Sequence, residues 1–172
     1  MKKLTLLFTL LIACTTAFAQ LNKEQCIAEW TRAKAYTKAY LDAMPADGYA
    51  FKATPEVRSF AQQMLHLAGD NYVFGAGATG KTAAADLTDV EKKVTPTKEA
   101  VTKTVLESYD YVIAAIKAVP ANELNKEVSF FNMKSTTALL LSKGFEHQTH
   151  HRGQTTPYIR LKGVTPPNEM LF

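Results

Sequence analysis

"TPEVRSFAQQMLHLAGDNYVFGAGATGK", residues 54–81, supports two readings that lead to different folds. Its glycine-rich end, Gly75 to Lys81, suggests a phosphate-binding loop, which would need a strand before it and an α/β architecture around it. The preceding residues argue otherwise. Thr54-Pro55-Glu56 supplies an N-cap, a first-turn proline and an acid facing the positive end of a helix. Val57, Phe60, Ala61, Met64 and Ala68 then recur at helical spacing as far as about Phe74. A helix therefore precedes the glycines, and "GAGATGK" is read as the loop that ends it.

The same grammar divides the rest of the chain. A first helix spans about Lys23 to Met44, carries Ile27, Trp30, Ala33, Ala35, Tyr40 and Leu41, and stops at Pro45. A third opens at Thr95-Pro96, places Val101, Val105, Tyr109, Val112, Ile113 and Ile116 on one face, and ends before Pro120. A fourth opens near Lys134 and runs past Leu161. Four amphipathic helices without a convincing run of alternating strands predict an all-α four-helix bundle.

The first residues stand apart. "MKKLTLLFTLLIACTTAFAQ" has two lysines, an apolar run and an Ala-x-Ala ending, the pattern of a signal peptide over 1–19, which leaves a domain over 20–172. Its apolar part is too short to span a membrane. A lipobox-like Leu11-Ile12-Ala13-Cys14 offers lipidation of Cys14 as the competing route; on either route the expectation is an exported bacterial protein, periplasmic or secreted. Removing Lys2 and Lys3 from the 20 basic residues leaves 18 against 16 acids, and no basic stripe recommends nucleic acid as a partner. Cys26 alone remains, so no internal disulfide forms, and a small buried hydrophobe is its expected role.

Three of the four histidines fall within "GFEHQTHHRGQTTPY", residues 144–158. Side chains four apart on a helix share a face, so His147 and His151 can meet one metal ion. His150, three from His147, can also pair with it, but His150 and His151 diverge by about 100°. Leu140, Gly144, His147, His151, Gln154 and Tyr158 wind into one stripe, which favours His147 with His151 and makes Gln154 and Tyr158 candidates for a pocket. Arg152 and Arg160 lie off the stripe and are read as surface or dimer-contact residues. Gly153 and Pro157 predict a kink just past the site. The fourth histidine, His66, lies 81 positions before His147, on the side of the second helix opposite its apolar face. By periodicity it is either exposed or turned to a solvent-open groove. Asp70, four residues on, is an imidazole partner or a solvated acid.

Taken together, the segment ending in His66 and the string H-x-x-x-H-R-G-Q-x-x-x-Y from His147 to Tyr158 resemble the DinB-like (DinB/YfiT-type) superfamily over nearly all of residues 20–172. The resemblance implies a four-helix bundle, a homodimer, and one divalent metal, zinc or nickel foremost, on His66, His147 and His151, with His150 a non-ligand. It also implies a metal-dependent hydrolase or transferase of an unknown small-molecule substrate. A His₃ site leaves the ion's charge intact and lowers the pKa of a bound water toward about 7. No H-E-x-x-H supplies a helix-borne base, which keeps a non-catalytic secreted metal-binding or stress-related bundle as the alternative.

Overall fold

The computed structural model describes residues 22–172; the signal peptide and Cys14 lie outside the described residues. Four long helices pack around one core: α1 (Lys23–Ala43), α2 (Phe60–Ala78), α5 (Lys98–Ala118) and α6 (Thr137–Gln154). Between α2 and α5 lie two single-turn helices, α3 (Ala85–Thr88) and α4 (Val90–Lys93). A short hairpin, β1 (Glu127–Phe130) with β2 (Met133–Thr136), precedes α6, and α7 (Thr156–Leu161) follows it. No described helix is long and apolar enough to cross a membrane.

The second helix begins later than the Thr54-Pro55 signal suggests. Ser59 is the cap, its hydroxyl accepting from the Gln62 amide N–H while the Gln62 side chain accepts from the Ser59 N–H. The next N–H groups, of Phe60 and Ala61, donate to the carbonyls of Phe51 and Tyr49. The preceding loop thus satisfies donors that a helix start leaves free, and residues 54–58 are not needed as a first turn. Thr97, not Thr95, caps α5 for a similar reason: its side chain accepts from the Ala100 N–H.

The glycine-rich end also differs from expectation. Gly75 to Ala78 are the last turn of α2, and the chain turns at Gly80 (φ +69°). Gly75 and Gly77 allow close packing, since a Cβ would lie 3.0 Å from the Tyr111 ring and 2.7 Å from that of Phe130. Residues 75–82 do carry the letters of a phosphate-binding loop, G-x-x-x-x-G-K-T. A helix C-terminus offers carbonyls where that loop must offer N–H groups, so the arrangement cannot cradle phosphate.

The hairpin replaces what was read as a loop and as the start of the fourth helix. Phe130 pairs with Met133, leaving Phe131 (φ 47°) and Asn132 (φ 65°) as a two-residue turn. Asn-Gly makes such a turn without strain; phenylalanine in the left-handed region costs about 1–2 kcal/mol. At the other end of α6 the expected break occurs. Pro157 has no N–H for the Gly153 carbonyl, α6 stops at Gln154, and α7 starts anew with the proline in its first turn.

The core is aromatic where α1, α5 and α6 meet. Trp30 packs at 5.9 Å from Tyr109 and edge-on at 5.6 Å from Phe145. Helix α2 is enclosed on most sides, by α5, α6 and the α3–α4 segment, and buries residues all round its axis. A helix so placed has no clean polar face, and of the two positions that periodicity allowed His66, the half-exposed one at a groove is the one observed.

Candidate metal centre

His66 sits two turns into α2, and His147 and His151 sit one turn apart on α6. Because α2 and α6 pack side by side, the three rings converge. Their centroids are 5.3 Å (His66–His147), 4.5 Å (His66–His151) and 4.4 Å (His147–His151) apart. One nitrogen from each lies within 4.8 Å of the other two, the spacing of a group able to hold one ion. Gly144 permits the approach: a Cβ there would lie 2.9 Å from Cβ of Phe74.

Hydrogen bonds fix which ring nitrogens are free. His151 Nδ1 faces the amide oxygen of Gln63 at 2.9 Å, so Nδ1 carries the proton and Nε2 keeps its lone pair. His147 Nε2 lies 2.8 Å from Asp70 Oδ2 and donates to it. This leaves His147 Nδ1 buried without a partner. A buried lone pair with nothing to accept from is costly, and among the described residues Asn71 Oδ1 is the one other buried side-chain atom in that state. Burial, reinforced by the neighbouring His147, His66, His150 and Arg58, pushes His151 down to about 4. Burial likewise lowers His66, against the raising influence of Asp70 and Glu91. Neutral imidazole is the form a metal takes. Burial alone would raise Asp70, but its hydrogen bond to His147 and the charges of His147, His66 and His151 outweigh that and hold it below the ordinary range.

Two residues not singled out in the sequence border the site. Glu91 of α4 places Oε2 3.8 Å from His66 Nδ1, and its Oε1 accepts from Arg58 Nε at 3.1 Å. The cause is Gly69: a Cβ there would come within 2.9 Å of the Thr88 carbonyl, so only glycine lets the α3–α4 segment lie on α2. Nothing in the local pattern around Glu91 announces this. The carboxylates missing from an H-E-x-x-H motif are thus brought in by packing, as Asp70 and Glu91.

The remaining candidates scatter. Gln154 is exposed and its amide contacts His150 Nε2 at 2.9 Å, on the solvent side of α6. Tyr158 lies beyond the helix break, buried edge-on against Phe51, and its hydroxyl donates to the Arg58 carbonyl at 2.7 Å. It braces the loop before α2 rather than extending the histidine stripe. Arg152 is a correction: it is buried, with its guanidinium 4.3 Å over the Tyr36 ring and Nη1 donating to Gln148 Oε1 at 2.9 Å. Arg160 is exposed.

A model of the DinB family matches residues 15–170, nearly the whole chain. The chain belongs to the DinB family. Among solved structures, this DinB protein is similar to a DinB-like protein from Bacillus cereus ATCC 10987, with a TM-score of 0.75 and 20% identity over 85% of this chain and 96% of that one. A DinB-like protein from Bacillus subtilis aligns with a TM-score of 0.65 and 20% identity, over 86% and 96% of the two chains. At such identity the likeness speaks for the fold. No curated protein matches the chain.

Proposed function

We propose that this DinB-family protein holds one divalent metal ion, zinc or nickel, through His66, His147 and His151, and acts as a metal-dependent hydrolase or transferase on a small molecule. The observation that carries the reading is the convergence of three imidazoles from two helices, one with a buried, unpartnered Nδ1. The residues fit an ion of this kind: all donors are imidazole nitrogens, and burial favours the neutral form of His66 and His151. When bound, the ion would supply Lewis acidity at an open position. The chain supplies the rest. Gln63 fixes the His151 tautomer, Asp70 orients His147, and Glu91 faces His66 with Arg58 holding it in place. These two carboxylates, at the edge of a partly open site, can accept or return a proton during turnover, which favours an enzyme over a storage bundle. Export with cleavage after Ala19, and a homodimeric state, belong to the same proposal.

The test is metal analysis of protein purified from its native compartment, followed by titration of the chelator-stripped protein with zinc and nickel. Stoichiometry of one ion per chain is expected, lost in His66→Ala and His147→Ala and retained in His150→Ala. Unchanged metal content in the first two variants would remove the site. Esters, amides and thiol-transfer substrates then probe turnover, and activity abolished by His151→Ala separates the enzyme from a non-catalytic metal binder.

A further inference from the structure

A cavity of about 560 Å³ is lined by none of the three histidines. It opens between the hairpin tip and the α2–α3 connection, and Val73, Lys81, Ala83, Thr88, Phe130 and Phe131 are among its walls. Two links tie it to the histidines. Phe74 stacks on the wall residue Phe130 at 5.4 Å and lies 6.0 Å from His147, so one ring bridges the cavity wall and the site. Thr88, at the cavity's other end, rests its carbonyl on Gly69, next to Asp70.

Val73, Ala83, Phe130 and Phe131 give the cleft apolar walls, Thr88 and Ser129 are among its neutral polar ones, and Lys81 is the single charged residue. Among the described residues, the Lys81 ammonium has neither an ion pair nor a side-chain hydrogen bond, whereas Lys126 and Lys134, nearby on the hairpin side, are paired to Glu123 and Glu127. Phe131 is 72% exposed at the rim and is held there in the left-handed region. Strain of this kind persists where surrounding structure and use maintain it. A partly apolar cleft with a few polar groups and a single charge is the ordinary form of a small-molecule site.

We propose that this cleft binds the substrate's non-reacting part, and that its occupant is a small carboxylic acid with an aromatic or aliphatic body: the body lies between Val73, Ala83 and the Phe130–Phe131 tip, and the carboxylate pairs with Lys81. The inference rests on the histidine site as the reacting centre, but its binding step does not need the metal.

The probe is 2-naphthoate, with neutral 2-naphthamide as its control, titrated by fluorescence into chelator-stripped full-length protein. Lys81→Ala is expected to weaken naphthoate at least tenfold and leave naphthamide within twofold. Ala83→Trp, at a half-buried wall position, is expected to weaken both at least tenfold, with urea unfolding to check that the variant keeps its fold. Zinc affinity should stay unchanged in both variants, and His147→Ala should bind naphthoate as wild type does. Absence of naphthoate binding, equal binding by wild type and Lys81→Ala, or displacement of naphthoate by millimolar inorganic phosphate would each overturn the cleft assignment. None of them would touch the metal reading, which fails only if the histidine variants retain their ion.

Discussion

His147 and Gln148 are adjacent on α6, as are His151 and Arg152, yet the two members of each pair serve opposite kinds of polar cluster. Gln148 and Arg152 face α1 and α5. There Thr37 donates to Tyr109, Tyr109 donates to Gln148 at 2.7 Å, and Arg152 donates to the same Gln148 oxygen while lying over Tyr36. The histidines face α2, where the rings contact one another, one nitrogen is orphaned, and carboxylates gather at the edge. The first cluster is closed by the protein itself and stabilises it. The second is left incomplete by the protein and calls for a ligand. Satisfaction of hydrogen bonds, more than burial, tells the two apart.

The comparison is broken most severely at Gln148. Replacing it with leucine leaves the Tyr109 hydroxyl and an Arg152 Nη1 without their acceptor in a buried setting, and a loss of about 3 kcal/mol is expected. Urea unfolding of metal-free protein measures it. Zinc affinity of the folded variant should change little, because nothing on the histidine side is lost. If Gln148→Leu instead weakened zinc strongly and left stability intact, the division between the clusters would be wrong.

On the other side the expected pattern reverses. Asp70→Asn removes the carboxylate that orients His147, and metal affinity should fall roughly 10- to 100-fold. Stability of the stripped protein should move by less than about 1 kcal/mol, as for a half-exposed carboxylate. Competition with a chromophoric chelator reads the first quantity and urea unfolding the second.

Acid should act on the same side. His151 titrates near 4 when folded and near 6.5 when unfolded, so between these values the unfolded chain binds the extra proton. Its contribution is complete above pH 6.5 and is lost as pH falls through 4. The full shift corresponds to about 3 kcal/mol, and screening at a partly open site reduces this to on the order of 1–2 kcal/mol. Unfolding of stripped protein at pH 7 and pH 4.5 should show that loss, and His151→Ala should remove it.

What could be read from sequence follows the same division. The long helices were legible because α1 and α5 each carry an apolar face ended by proline, and the His147–His151 pair was legible from spacing alone. The side chains that complete each cluster were not. Arg152 is buried because Tyr36 and Gln148 come from the right directions, and a charged residue off the histidine stripe gives no hint of that. Glu91 reaches His66 through a close approach at Gly69, on a single-turn helix far in sequence from α6. For His66 periodicity left open an exposed position or a groove, and the packing of α6 beside the polar face of α2 decides for the groove. The hairpin escaped notice because Phe131-Asn132 replaces the turn residues that announce one. Periodicity reports one neighbour per helix; α2 has several.

The smallest expected effect is the most discriminating. His150 stands between the two ligand candidates in sequence, and its ring lies 5.0 Å from that of His151, closer than His66 lies to His147. Ring proximity alone would therefore admit it to the site. Its position argues otherwise: it is exposed, points away from α2, and spends Nε2 on the Gln154 amide. Neither of those partners is buried, so His150→Ala should shift stability by no more than about 0.5 kcal/mol. Metal stoichiometry should remain that of wild type, with affinity within about threefold. Removing the nearby like charge would ease protonation of His151, a lowering influence His150 exerts on it, so the acid-induced loss of stability in the variant should be slightly smaller. A His150→Ala protein that lost its metal would show that the site recruits the solvent side of α6, and that the closed and open clusters do not divide the helix where its hydrogen bonds place the boundary.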